Sequence, residues 1–375
     1  MQNNRKRKLV YLCAGISNGR APDSVEGLLI STACDCKTPG TIQNAKTLIQ
    51  NKTPKDITLD SGGYQLHIAE RKGIPPTFNP DEPLKVTEKG FNIISRHVPE
   101  MAIVMGATNM VALDFPIRKI KDPAGQEKEF RSKLSRKVQW AIETAALRKE
   151  LCPHIGLLVA VQAYTEKQLE EFYRKIHHAE FDGLSLPVRN MTMATLAGFM
   201  LKIHKWGVRQ VHILGSSSLP VMSVCAYMSQ RFFDRVSFDA TTWRIAAQFG
   251  QFIHPYDLSS KKLNKAQSYD PHYRCACRFC KGRTLGTIAE MDRKERMALL
   301  MNHNHLAIQN VCKKFGEADF DYRYLEKYLK NSKRKDIKKI LRSMSEIETM
   351  CSPYTTRSTG RKTSIEHSHG IRQII

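Results

Sequence analysis

Three acids in this chain close short apolar runs, and three cysteines stand near enough in sequence to share one ion. Residues 57–60 run into Asp60 and then straight into Ser61-Gly62-Gly63-Tyr64-Gln65. Residues 110–114 end on Asp114, with Pro116 closing the turn, and residues 235–239 end on Asp239. A carboxylate at the carboxyl end of a buried strand is where open-sheet and barrel enzymes place working groups. Paired glycines beside it allow left-handed backbone angles and let a planar ligand approach with no Cβ in the way. Asp-Ser-Gly alone is also ordinary turn chemistry with a capping Asp. Its recurrence as strand-end acids, with Gln162 closing the run 155–162, favours a shared site.

Of the ten cysteines, only Cys275-x-Cys277-x-x-Cys280 has deliberate spacing. In a reducing setting such a cluster points to a metal rather than a disulfide. Three thiolates need a fourth ligand for a tetrahedral zinc site. The following helical stretch offers His303, with His305 as the alternative on another helix face. Thiolates plus imidazole suit zinc, and four protein ligands make the site structural rather than catalytic. Cys34-x-Cys36 reads as an incidental pair in a loop. The remaining cysteines read as packing residues or exposed thiols.

The elements that must position these residues recur from residue 8 to about 250. Apolar runs at 8–16, 27–31, 57–60, 110–114, 155–162, 181–186, 210–215 and 235–239 lack clean alternation, as parallel strands buried on both faces do. Stretches with helical spacing lie between them at 131–151, 191–206 and 219–233, and Thr165-Glu-Lys-Gln168 is a capping box opening another. Alternating strands and helices of this number predict an α/β fold, a (β/α)₈ TIM barrel over residues 1–268, whose strand ends converge on one mouth. A doubly wound open sheet is the alternative, but no Gly-x-Gly-x-x-Gly follows the first strand. A zinc-binding helical subdomain over 269–350 is expected next, with helices at 287–315 and 322–344. A mobile tail over 351–375 is expected to end the chain.

The chain has 375 residues, 41% of them hydrophobic, and a formal net charge of +23 with a pI near 9.6. The core is therefore sizeable, and so large a basic excess points to a polyanionic partner. Arg5-Lys6-Arg7-Lys8 and the stretch 330–342 concentrate the charge, although Ile337, Ile340 and Leu341 also fit an amphipathic helix. No apolar run approaches the ~20 residues that span a bilayer, and no secretory h-region follows the basic start. A soluble intracellular protein with no membrane partner is expected.

Asp-Ser-Gly-Gly-Tyr-Gln, the expected barrel and Cys-x-Cys-x-x-Cys with a distant His together resemble the tRNA-guanine transglycosylase superfamily. That family carries Asp-Ser-Gly-Gly-Phe-Gln, a (β/α)₈ fold and a zinc subdomain near its C-terminus. Val161-Gln162 resembles its Val-Gln-Gly segment. Residues 211–243, with Gly215 and Ser237-Phe238-Asp239-Ala240-Thr241, resemble the stretch that holds its nucleophilic Asp. The likeness covers roughly residues 50–310. It departs at Ala240-Thr241-Thr242-Trp243, where bacterial tRNA enzymes carry Pro-Thr-Arg. It departs again at Leu184-Ser185-Leu186-Pro187-Val188, which replaces a Gly-Gly-Leu-Ala-Val-Gly loop. The length leaves no room for the RNA-binding domain of archaeal members. With the 22-residue gap between Cys280 and His303, the chain is most similar to the deazapurine DNA transglycosylase branch.

The resemblance implies a pentosyltransferase that replaces guanine in DNA with a 7-deazaguanine, 7-cyano-7-deazaguanine being the expected base. tRNA is the alternative polymer. Asp239 would be the nucleophile, with Asp234 as its competitor, and Asp60 the general acid/base. Asp114 would read the guanine-like edge, Ser61, Gly62, Gln162 and Gly183 would complete the base pocket, and Tyr64 would form a wall. The target base must be flipped or single-stranded. The cytoplasm of a bacterium or of a phage-infected host is the expected location, and a homodimer or helper proteins stay open. Two rival readings remain: a metal-dependent barrel hydrolase using the same acids, and a non-enzymatic zinc protein that binds nucleic acid.

Overall fold

The computed structural model describes residues 8–16, 21–188, 191–265 and 269–355. Eight parallel strands close into a barrel: β1 Lys8–Cys13, β2 Gly27–Ser31, β3 Asp56–Asp60, β4 Asn109–Val111, β5 Gly156–Ala160, β6 Gly183–Pro187, β7 Gln210–Leu214 and β8 Arg235–Ala240. Each pairs with the next in sequence, and β8 closes onto β1 from Lys8↔Arg235 to Cys13↔Ala240. This is a (β/α)₈ TIM barrel. Consecutive parallel pairing follows from the short apolar runs and the helices that carry the chain back between them. No helix among the described residues is long and apolar enough to cross a membrane.

Register sorts each strand into an inward and an outward set. Val10 pairs with Ser237 and Leu12 with Asp239. Val10, Leu12, Ala14 and Leu29 form a small apolar cluster separate from the main core. Val111, Leu158, Ala160 and Leu214 form another. Between these two apolar patches the barrel interior is polar. At its floor Arg235 grips Asp56 through Nη2 at 2.8 Å to each carboxylate oxygen, with Lys8 at 3.6 Å.

Several elements differ from the sequence expectation. β4 ends at Val111 and β5 at Ala160, so Asp114 and Gln162 sit in the loops just past their strands. The helix expected at 131–151 is Pro123–Leu151, opened by Asp122, whose side chain accepts from Gly125 N. Thr165 caps Glu166–Ile176 by accepting from Gln168 N, but the Gln168 side chain accepts instead from Tyr164 N, at 3.0 Å. The helices expected at 287–315 and 322–344 are broken into Leu285–Glu290, Arg293–Glu317, Tyr322–Leu329 and Ile337–Thr355. Ile340 is buried on the last of these, as an amphipathic helix requires. That helix also overturns part of the expected tail. Cys351 is fully buried on it, and the helix continues to Thr355. Residues 356–375, and the basic residues Arg5, Lys6 and Arg7, lie outside the described part.

The helix Arg293–Glu317 packs on β1, on the helix Leu219–Arg231 and on the short helix Thr242–Gln248. It fills the place of the eighth barrel helix. Ala307, Ile308, Val311 and Phe315 join the same core as the barrel strands. The segment 249–292, with the cysteine cluster, is thus an excursion between β8 and the helix that closes the fold. Asn304, fully buried, fixes that closure. Its Oδ1 accepts from Ile253 N at 2.8 Å, and its Nδ2 donates to Gln251 O at 3.0 Å and Trp243 O at 3.3 Å. Trp243 Nε1 in turn donates to Ala14 O at the exit of β1, at 2.9 Å. Asn304→Ala would leave these backbone groups unmet, an expected loss of roughly 2–4 kcal/mol. Denaturant unfolding should show a lower midpoint with an unchanged slope; an unmoved midpoint would contradict the latch.

Candidate functional site

Asp60 and Asp239 both end inward-facing rows at the carboxyl-terminal mouth. Their charges act on one another. Burial pushes Asp60 up to about 7, and the negative charges of Asp239, Asp114 and Asp35 push the same way, while a hydrogen bond from Gly62 N opposes them. That bond, at 3.0 Å to Oδ2, is the one hydrogen bond its carboxylate accepts among the described residues. The turn that supplies it needs glycine. Gly62 has φ +86°, and a Cβ there would lie 2.4 Å from the Ala33 Cβ; a Cβ on Gly63 would lie 2.9 Å from Asp114 O. The two glycines therefore let the Asp60 turn seat directly against the β2 and β4 loops.

Asp114 and Asp239 are better supplied with donors. Lys137, fully buried on the helix Pro123–Leu151, pairs with Asp114 Oδ1, and Gln162 Nε2 donates to Oδ2. The Gln162 amide is itself aimed by Ile117 N, which donates to its Oε1 at 2.8 Å. Asp239 Oδ1 accepts from Gly215 N at 2.8 Å and faces His212 Nε2 at 3.3 Å. A carboxylate has about four lone-pair sites, so both acids keep acceptor capacity toward a ligand.

Asp60, Ser61, Gly62, Asp114, Gln162 and Asp239 are thus brought to one end of the barrel. Ser61 is buried, with no partner for its hydroxyl among the described residues. Tyr64, in the first turn of Gly63–Arg71, is 55% exposed and presents its ring to solvent beside the turn. Gly183 does not join them. It opens β6 opposite Gln210 and packs against Gln210 O at the barrel floor, where a Cβ would lie 2.6 Å away. Four residues of strand, roughly 13 Å, separate it from the mouth. Asp234 is exposed ahead of β8, at the floor, so Asp239 and not Asp234 shares the end with Asp60.

Three residues at the site were not expected from sequence. Asp35 lies on the short helix Thr32–Asp35, not in a loop. It is buried, accepts from Ser31 N at 2.9 Å through Oδ2, and burial raises its pKa. Its place just beyond β2 was the available signal. His212 is buried mid-strand in Gln-Val-His-Ile-Leu, at an inward position of β7. Lys137 is one charge among many on a long helix, and only its partner Asp114 reveals it.

The second cluster lies outside the barrel mouth. Cys275, Cys277, Cys280 and His303 bring their ligand atoms within 4.8 Å of one another and could hold one metal ion; among the described residues no other such group of His, Cys, Asp or Glu is close enough to do so. His303 Nδ1 lies 3.7, 3.3 and 3.4 Å from the three sulfurs, near the roughly 3.6 Å that a tetrahedral Cys₃His site imposes. Its Nε2 meets Ile253 O at 2.8 Å; donating to that carbonyl places the proton on Nε2 and leaves Nδ1 bare for an ion. His305 points elsewhere, its ring against Tyr11 and Trp243. No protein-family model and no curated protein matches this chain.

Two outcomes follow from this geometry. Because Asp60 sits at about 7 against an ordinary 3.8, its protonation stabilises the fold fully below about pH 4, and that contribution is lost as pH rises through 7. Asp60→Asn should therefore melt above the wild type at pH 8 and nearly level with it at pH 4; equal melting at both would contradict the burial. Removing an ion from the Cys₃His cluster with a strong chelator should lower the melting temperature by several degrees, because the cluster anchors the closing helix. Elemental analysis should find one ion per chain, and a chain that melts unchanged without it would count against the anchoring role.

Proposed function

We propose that this chain is a base-exchange transglycosylase akin to the tRNA-guanine transglycosylase superfamily. On this reading it replaces guanine in DNA with a 7-deazaguanine such as 7-cyano-7-deazaguanine. The observation that carries the reading is the pair of unlike acids at one mouth. Asp60 is raised to about 7 in part by the charge of Asp239, while Asp239 is held by Gly215 N. One carboxyl is fit to hold and release a proton near neutrality, and the other to attack.

In the first half-reaction an Asp239 oxygen attacks C1′ of the target nucleotide. The C1′–N9 bond breaks, its electron pair leaves with the guanine, and Asp60 gives that base its proton. The sugar is now an ester of Asp239. In the second half the incoming base gives its N9 proton to the Asp60 carboxylate. Its nitrogen bonds to C1′, and Asp239 leaves with the electron pair of the ester. No water enters the balance, and the covalent intermediate divides one difficult displacement into two easier ones. Asp114, already fixed by Lys137 and Gln162, would accept from the N1–H and exocyclic amine of either base. A site built on such hydrogen bonds discriminates strongly against bases lacking them.

The ion of the Cys₃His cluster would be zinc, structural because four protein ligands leave no open position. Its place outside the mouth favours this reading over a barrel hydrolase, which would need ions among the mouth acids. The net charge of +23 would hold phosphates, giving affinity that falls steeply with salt, and the protein would work in the cytoplasm. Labelled 7-deazaguanine offered with DNA and tRNA in parallel should enter DNA, and denaturing gels should trap a DNA adduct that Asp239→Ala abolishes. Label entering tRNA alone would move the substrate to tRNA. Absence of any adduct or label with either polymer would end the proposal.

A further inference from the structure

A line of polar contacts runs through the barrel from its floor to Asp239. Asp56 receives Arg235 Nη2 at 2.8 Å; Arg235 Nη1 donates to Ser237 Oγ at 3.2 Å; Ser237 Oγ meets His212 Nδ1 at 2.9 Å; and His212 Nε2 stands 3.3 Å from Asp239 Oδ1. Ser237 and His212 are fully buried. Ser185, in register with His212, has no hydrogen-bond partner among the described residues and so does not compete for the imidazole.

Protons along this line can be assigned by elimination. A guanidinium only donates, so Ser237 Oγ accepts from Arg235. The serine has one proton left to give, and its neighbour for that bond is His212 Nδ1. Nδ1 is then an acceptor, and the imidazole proton must reside on Nε2. A proton on Nδ1 would leave the buried Ser237 hydroxyl hydrogen with no acceptor, which costs free energy. Nε2 lies near Asp239 Oδ1 without being aligned for a hydrogen bond, and among the described residues it has no other partner.

We propose that Arg235 and Ser237 lock His212 as the Nε2–H tautomer, and that His212 is a positioning residue for Asp239. Gly215 N donates to Oδ1 and the His212 Nε2–H stands 3.3 Å from the same oxygen, leaving Oδ2, which accepts no hydrogen bond among the described residues, as the oxygen that attacks C1′. The part played in catalysis rests on the transglycosylase reading; the tautomer does not. Both N–H groups, one bonded to the carboxylate and one facing it, favour its charged form over its ester. They therefore help the second half-reaction most, where Asp239 regains its charge as the ester C1′–O bond breaks and the new C1′–N9 bond forms.

The test has two arms. Imidazole-¹⁵N NMR of the full chain, with the His212 signals identified by their loss in His212→Leu, should show a single Nε2–H tautomer. In Ser237→Ala that signature should give way to a mixture. An Nδ1–H or doubly protonated ring in the wild type overturns the lock, whether or not the protein exchanges bases. In the kinetic arm, His212→Leu should lower turnover about 10-fold, the low end for a lost N–H facing a charged group, at unchanged KM for DNA and with a larger trapped-adduct fraction than wild type. His212→Gln, whose amide restores a donor, should recover much of the rate. If His212→Leu loses adduct and turnover together, or His212→Gln recovers nothing, the positioning role is wrong. A wild type with no adduct on any polymer overturns that role along with the transglycosylase reading, and leaves the lock to the NMR arm.

Discussion

Four carboxylates gathered at one barrel mouth repel one another, and the way the fold distributes donors among them sets everything else at the site. Asp114 has a buried lysine and an oriented glutamine. Asp239 has a backbone N–H and a facing imidazole. Asp35 has the Ser31 backbone N–H, with Arg244 and Lys37 countering the burial that raises it. Among the described residues Asp60 has only Gly62 N, and it is raised to about 7. Burial, with the charges of Asp239, Asp114 and Asp35 beside it, outweighs that single bond, so a proton near neutrality settles on Asp60. The same arrangement therefore sets an acid that holds a proton near neutrality beside one held by a backbone N–H.

That distribution depends on backbone placement within fractions of an ångström, which the eighth βα unit supplies. The closing helix carries His303 and Asn304 side by side. One joins the three cysteines and the other ties down Trp243, four residues beyond Asp239. Trp243 then bonds Ala14 at the end of β1, the strand paired with β8. A Cys₃His cluster outside the barrel mouth thus acts on the seam where the barrel closes, next to the strand that ends on Asp239. The polar interior makes a matching connection from below, because Arg235 and Asp239 are inward residues of one strand.

Much of this was legible in sequence for a physical reason. Strands buried on both faces write continuous apolar runs, and the polar residue that ends each run is displayed without alignment. Asp60 and Asp239 were found that way, and thiol spacing gave the metal cluster. What stayed hidden depends on partners distant in sequence. Lys137 looks like a solvated charge until Asp114 is placed beside it, and His212 looks like an interruption in an apolar strand until its inward register is known. Gly183 was given a place in the pocket by the resemblance alone, and it opens its strand at the barrel floor instead. The start expected for the tail was set too early because polar residues after Ser352 hid the continuation to Thr355 of an amphipathic helix anchored by Cys351.

The account rests on Asp60 sharing its mouth with Asp239 closely enough to feel its charge. Carboxyl-¹³C titration of Asp60, identified by its loss in Asp60→Asn, tests this directly when repeated in Asp239→Asn. An Asp60 signal titrating near 7 in the wild type, and at a lower pH once the Asp239 charge is gone, is the result predicted here. An Asp60 that titrates as an ordinary carboxylate and ignores the substitution would contradict it.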